Sequence, residues 1–198
     1  MSMEKNNICI FGASSNMIAP AYTEAAFEVG RLIALSGRGM VFGAGTSGLM
    51  GAAARGCYSE RGRIIGVIPE KLNKPGVYFE GCTERIETPT MHERKAAMEG
   101  MSSGFIALPG GFGTIEELME VVTLKQLGYI DPAIVILNTD GYFDPLIAQL
   151  EKCFAEGFAH RDYECLYRVA YTPEEAVAYC VGYKGSDLPD KLIWALRS

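Results

Sequence analysis

The chain has 198 residues, 48% of them apolar and 21% charged, with a formal net charge of −6. That length suits one domain with a full hydrophobic core, and the composition excludes a disordered chain. The acidic balance argues against a nucleic-acid or anionic-membrane partner, and no apolar run approaches the roughly 20 residues of a transmembrane helix.

The polar start, Met1 to Asn7, leads straight into a strand, so no signal peptide is read and a cytoplasmic protein is expected. Asn7 to Phe11 is the first strand, ended by Gly12-Ala13-Ser14-Ser15-Asn16. A helix runs from Pro20, suited to its first position, to about Ser36, with Gly37 as its stop. Met40 to Phe42 is the second strand, followed by a glycine turn, Gly43 to Gly51, and a helix to about Arg61. Arg63 to Ile68 is a third strand, stopped by Pro69; Pro75 to Gly81 is a loop and Thr83 to Thr88 a fourth strand. A helix from Thr90 to Ser102 precedes the apolar strand Gly104 to Leu108. Pro109-Gly110-Gly111-Phe112-Gly113-Thr114-Ile115-Glu116-Glu117 then opens a helix to about Leu127. Ala133 to Leu137 is a strand, Phe143 to Ala155 a helix, and Leu166 to Ala170 a last short strand. Thr172 caps a final helix, Pro173 to Cys180. The whole chain, 1–198, reads as a single domain, with 182–198 as a tail that packs on the domain or on a partner subunit.

Apolar strands alternating with helices imply a doubly wound, Rossmann-like α/β fold: a parallel sheet with helices on both faces. Three strand ends carry glycine or serine, at Gly12 to Ser15, Gly43 to Gly48 and Gly110 to Thr114. All lie at the carboxyl edge, where such folds bind ligands, so they can converge on one ligand.

The stretch from Pro109 to Glu117 is the most informative. Strand, glycine turn and helix place several backbone N–H groups and the positive end of a helix dipole in one concavity, which suits an anion. Thr114-x-x-Glu117 also reads as a capping box, with Thr114 as N-cap and Glu117 reaching back. Taken alone, that makes Glu117 a cap rather than a catalyst. The helical wheel shifts the balance. Ile115, Leu118, Met119 and Val122 form a stripe towards the sheet, while Val121 and Leu124 lie on another side with Glu117. A helix apolar on two sides is packed on two sides, so Glu117 is expected beside a second packed surface such as a subunit interface.

Elsewhere the chemistry is sparser. Gly43-x-Gly45-x-x-Gly48 matches a dinucleotide fingerprint, with Glu70 as a candidate ribose ligand, but a plain tight turn fits equally. No Walker phosphate loop is present. Arg94 falls on the apolar stripe of its helix; it either snorkels to water or points into a cleft to grip an anion, and Lys95 flanks it. Six cysteines (Cys9, Cys57, Cys82, Cys153, Cys165, Cys180) contain no C-x-x-C pair and read as small buried hydrophobes. His92 and His160 are far apart, so no metal is expected.

Met91-His92-Glu93-Arg94-Lys95 followed by Pro109-Gly110-Gly111-x-Gly113-Thr114-x-x-Glu117 resembles the Lonely Guy family of cytokinin riboside 5′-monophosphate phosphoribohydrolases. Gly48-Leu49-Met50-Gly51, Gly66-Val67-Ile68-Pro69, Gln126-Leu127-Gly128 and Asn138-x-x-Gly141-Tyr142 fit the same pattern, so the resemblance spans about residues 7 to 180. Members of that family were often labelled lysine decarboxylases, but nothing in these motifs suggests pyridoxal phosphate, and no cofactor is expected. The resemblance implies hydrolysis of the N-glycosidic bond of an adenine-type nucleoside 5′-monophosphate to free base and ribose 5-phosphate. It implies Arg94 and Glu117 as the catalytic pair, and a 5′-phosphate site at Gly110, Gly111, Phe112, Gly113 and Thr114. Lys95, Glu116 and Thr123 would line the substrate, in a homodimer with the site near the interface.

The residues depart from the family in places. Pro75 to Phe79 lacks a glutamate common there, Tyr129-Ile130-Asp131 replaces a region that often carries histidine, and Leu124 stands where tryptophan is usual. These bear on which base is accepted. Two other readings stay open: a non-catalytic carrier resembling molybdenum-cofactor carriers, and a nicotinamide-dependent oxidoreductase built on the Gly43 fingerprint.

Overall fold

Each apolar strand of this chain is followed by a segment that returns to the sheet's amino edge, so successive strands lie parallel. A computed structural model describes residues 6–188. Its seven strands are β1 (Asn7–Phe11), β2 (Gly39–Phe42), β3 (Ile64–Pro69), β4 (Glu84–Thr88), β5 (Ser102–Ala107), β6 (Ala133–Leu137) and β7 (Arg168–Ala170). They form one all-parallel sheet in the order β4-β3-β2-β1-β5-β6-β7. The helices are α1 (Pro20–Leu35), α2 (Gly48–Ser59), α3 (Met91–Met101), α4 (Phe112–Gln126), α5 (Asp144–Ala155) and α6 (Pro173–Gly182).

Strands β1, β2, β3 and β6 are buried throughout, because helices cover both faces. Ala26, Val29 and Ile33 of α1 pack with α2 and with Ala176 and Val177 of α6 on one face. Met98 of α3, Leu118, Val121 and Val122 of α4 and Phe154 of α5 cover the other. The edge strand β4 exposes Glu84, Arg85 and Glu87, charges that discourage pairing with another edge. The chain leaves β1 towards β2 on one side and later returns to β5 on the other. The switch point is therefore the crevice between the carboxyl ends of β1 and β5.

The expected elements all appear, with most ends within a residue or two. Pro69 closes β3 from inside rather than stopping it from outside. Arg161–Leu166 is a 3₁₀ segment, which delays β7 to Arg168 and leaves Cys165 exposed, unlike the buried Cys9, Cys57 and Cys180. No helix among the described residues is long and apolar enough to cross a membrane. Most of the tail expected at 182–198, including Trp194, lies outside the described residues.

Candidate active site

Helix α3 starts with a capping box. Thr90 Oγ1 accepts from Glu93 N at 3.2 Å, and Thr90 N donates to a Glu93 carboxylate oxygen at 3.0 Å. One residue later Arg94 turns inward and is only 6% exposed. Its Nε donates to the Val67 carbonyl at 3.3 Å, and its Nη1 to Glu117 Oε1 at 3.1 Å and the Met91 thioether at 3.4 Å. The guanidinium lies over Gly43, where a Cβ would collide with Nη2. Arg94 therefore does not snorkel to water; it turns inward onto a carboxylate of the same chain. It also gives Gly43 a purpose that the dinucleotide reading did not foresee.

Glu117 is not a cap. Helix α4 begins at Phe112 with Gly111 as N-cap, so Thr114 is its third residue, buried against Gly110. A Cβ on Gly110 would collide with Thr114 Oγ1; its absence lets the helix start three residues earlier than the Thr-x-x-Glu spacing suggests. The buried face of α4 is Thr114, Leu118, Val121, Val122 and Lys125, one continuous side that includes Val121. The packed surface beside Glu117 is thus α3 of the same chain. The Glu117 side chain is 12% exposed. Burial pushes its carboxyl above the usual range, and the neighbouring Arg94 offsets this only in part.

Lys95 sits beside this pair, its Nζ 2.5 Å from Glu116 Oε1 and 2.9 Å from Glu120 Oε2. Burial pulls its ammonium down, but the two carboxylates outweigh that and raise it overall. Glu116 points outwards, as the roughly 100° step from Glu117 requires. Thr123 lies two turns beyond Glu116 on the same exposed side and bonds the Met119 carbonyl of its own helix at 2.7 Å. Arg94, Glu117, Lys95 and Glu116 are thus brought together; Thr123 stands apart from them.

The glycine turn lies at the switch point. Among the described residues no acceptor meets the N–H groups of Phe112, Gly113 and Thr114. A Cβ on Gly111 or Gly113 would meet nothing within 4 Å, so packing does not demand glycine there. What glycine leaves is open room over free N–H groups. Phe112 is 96% exposed at the same edge.

The second glycine turn is used differently. Gly48 N donates to Asn16 Oδ1 at 2.7 Å and Leu49 N to the Ala13 carbonyl at 2.8 Å. Glu70 opens an exposed 3₁₀ turn at Glu70–Leu72. The start of α2 is therefore filled by the chain itself, which removes the geometric basis for a pyrophosphate there.

Sequence reading missed three residues. Asn16 closes the start of α2 from 32 positions away, a pairing with no local signal. Tyr142 Oη donates to the Gly110 carbonyl at 2.7 Å. Lys125 is 1% exposed, donating to the Pro132 carbonyl at 2.8 Å and Tyr183 Oη at 2.6 Å. Its place on the Leu118–Val121 stripe was the available signal.

Fold and site together define a Rossmann-like α/β protein with an anion-receptive helix start beside a buried arginine–glutamate pair. The family model described as "possible lysine decarboxylase" matches residues 50–180. A cytokinin riboside 5′-monophosphate phosphoribohydrolase of Arabidopsis thaliana is 36% identical over 192 residues, 96% of this chain and 89% of its own. One of Oryza sativa subsp. japonica is 38% identical over 170 residues, 86% of this chain and 70% of its own. Among solved structures, the molybdenum cofactor binding protein of Rippkaea orientalis aligns over 100% of both chains with a TM-score of 0.69 at 21% identity, a likeness of fold alone. The chain belongs to the Lonely Guy family of cytokinin riboside 5′-monophosphate phosphoribohydrolases.

Proposed function

We propose that this protein is a phosphoribohydrolase that cleaves the N-glycosidic bond of adenine-type nucleoside 5′-monophosphates, releasing free base and ribose 5-phosphate. The observation that carries the reading is the placement of an open anion site and a buried carboxylate on one helix. Glu117 follows Phe112 by five residues, about 7.5 Å of helix rise. A ribose 5-phosphate is of the size to bridge that gap, its phosphate on the Gly110–Thr114 turn and its C1′ near Glu117.

In this reading Glu117 acts as the carboxylate. As the C1′–N9 bond breaks, the electron pair leaves with the base and the ribose becomes oxocarbenium-like; the carboxylate stabilises that charge and orients the attacking water. The water oxygen bonds C1′, and its proton balances the departing base. Arg94 holds Glu117 in one orientation by the 3.1 Å contact and favours its ionised form against the cost of burial. Lys95 and Glu116 face the substrate's sugar side. Half-buried Ile115, Met119 and Leu124 remain on α4, and we infer a homodimer that covers them and brings Thr123 to the site. Sedimentation equilibrium that gives a monomer at working concentration would remove that part.

The test is chromatographic, with AMP and isopentenyladenosine 5′-monophosphate as substrates. Wild type is expected to release base and ribose 5-phosphate, and Glu117→Gln to be slower by about 10³-fold. Equal rates from both proteins would sink the assignment of Glu117. Binding without cleavage by wild type would favour a carrier.

A further inference from the structure

We propose that Tyr142 is a positioning residue for the anion loop: its hydroxyl locks the Gly110–Gly111 peptide so that the Gly111 N–H faces the substrate phosphate. The inference rests on the phosphate reading of that loop.

The Pro109 carbonyl accepts from Ala13 N at 3.0 Å, the Gly110 carbonyl from Tyr142 Oη at 2.7 Å, and the Gly111 carbonyl from Ile115 N at 3.1 Å. In a trans peptide the C=O of one residue and the N–H of the next point in opposite directions. Three carbonyls tied to the chain's own donors therefore turn the N–H groups of Gly110, Gly111 and Phe112 away from those donors.

The three ties differ in kind. Two come from backbone, one across the sheet and one within the helix, and no side-chain substitution removes them. The middle one comes from a single hydroxyl. It also acts on the peptide most able to flip, because glycine flanks it on both sides and no Cβ restricts either dihedral. Without Tyr142 Oη, the Gly110 carbonyl could turn towards an incoming phosphate and repel it.

Tyr142 is itself held firmly. Its ring packs edge-on against Tyr22 of α1 and Phe143, with centroids at 5.9 and 5.0 Å. It follows a turn in which Asp140 and Gly141 have φ of 51° and 70°. The buried Asn138 fixes that turn, donating to Asp144 at 2.7 Å and accepting from Phe143 N at 2.7 Å. Residues of the turn after β6 and of α1 thus set one hydroxyl against the Gly110 carbonyl. The Asn138-x-x-Gly141-Tyr142 pattern acquires a physical purpose.

The test is Tyr142→Phe, which keeps the ring packing and removes only Oη. Calorimetric titration of wild type and variant would use ribose 5-phosphate and, separately, adenine, with melting temperature as a control. The expected result is ribose 5-phosphate binding weaker by about tenfold, the scale of one hydrogen bond, with adenine binding unchanged. KM for AMP should rise by a similar factor with kcat nearly constant. Equal ribose 5-phosphate affinity in both proteins, or equal loss for both ligands, would overturn the role of Tyr142 while leaving the proposed reaction intact. A wild type that binds adenine but not ribose 5-phosphate would overturn the phosphate reading of the loop, and this inference with it.

Discussion

Helices α2 and α4 both begin with glycine turns at the carboxyl edge of the sheet, yet their starts are opposites. At α2, Asn16 and Ala13 of the β1 loop supply acceptors to the N–H groups of Gly48 and Leu49. Gly48, with φ of 62°, lets the Ala13–Ser14 backbone press close. At α4, the chain ties down the carbonyls of the turn and leaves the first N–H groups free among the described residues. A helix start becomes an anion site when neighbouring segments hold its carbonyls and leave its N–H groups open. Glycine spacing alone cannot distinguish the two, because it records room for close approach and not what approaches.

The comparison can be broken by placing a methyl group in each turn. Among these methyl substitutions the largest change in activity is expected from Gly43→Ala. Its Cβ would collide with Arg94 Nη2, the end of a flexible side chain, so the fold survives while the guanidinium moves off Glu117. We expect kcat/KM to fall by about 10²-fold, with stability lowered by only about 1 kcal/mol. Steady-state rates and denaturant melts would report both.

Gly48→Ala and Gly113→Ala sharpen the contrast directly. At Gly48 the backbone is left-handed and a Cβ would strike the Ala13 carbonyl, so a loss of about 3 kcal/mol is expected. At Gly113 a Cβ meets nothing within 4 Å and the residue is helical, so stability should hold or rise by up to about 1 kcal/mol. That methyl leans towards the helix start, over the free N–H groups, and should raise KM for AMP about tenfold. If Gly113→Ala left KM unchanged, the open start of α4 would not be where phosphate binds.

Much of this layout is legible in the sequence. Short apolar runs between turn residues mark the strands, and β1 and β6 fall at the expected residues. The motifs single out Arg94 and Glu117, which the fold brings within 3.1 Å of each other. The start of α4 is not legible, because Thr114-x-x-Glu117 satisfies a capping box as well as Thr90-x-x-Glu93 does. What separates them is tertiary: Thr114 fits against Gly110, and Glu117 has an arginine from another helix. The partners of Asn16 and of Tyr142 are illegible for the same reason, since each bonds a backbone atom some 30 residues away; Tyr142 itself shows only as part of a family pattern. Lys125 was readable in principle. It stands at helical spacing from Leu118 and Val121 on the buried face of α4, although a wheel that parts Val121 from Leu118 and Val122 hides this.

The smallest expected effect separates the site from ordinary carboxylate chemistry by its sign. Burial raises Glu117, and Arg94 does not fully compensate, so the folded protein binds that proton more tightly than the unfolded chain does. By linkage, this group adds stability as pH falls through its folded value towards the ordinary 4.5, and subtracts it at neutral pH. Asp131 behaves in the opposite way. Burial tends to raise it, but bonds from Ser186 and Tyr183 and the nearby Lys125 lower it overall, so its contribution is lost as pH falls below the ordinary 3.8. Glu117→Gln should therefore melt slightly above wild type at pH 7, with the gap closing as the pH approaches 4.5, whereas Asp131→Asn should melt below wild type at pH 7. The kcat/KM profile of wild type should bend on its acid side above the ordinary glutamate range, because only the ionised carboxylate can steady the ribose cation. A Glu117→Gln protein less stable than wild type at neutral pH would mean that the Arg94 pairing outweighs burial, and that the carboxylate is held for the fold rather than for the reaction.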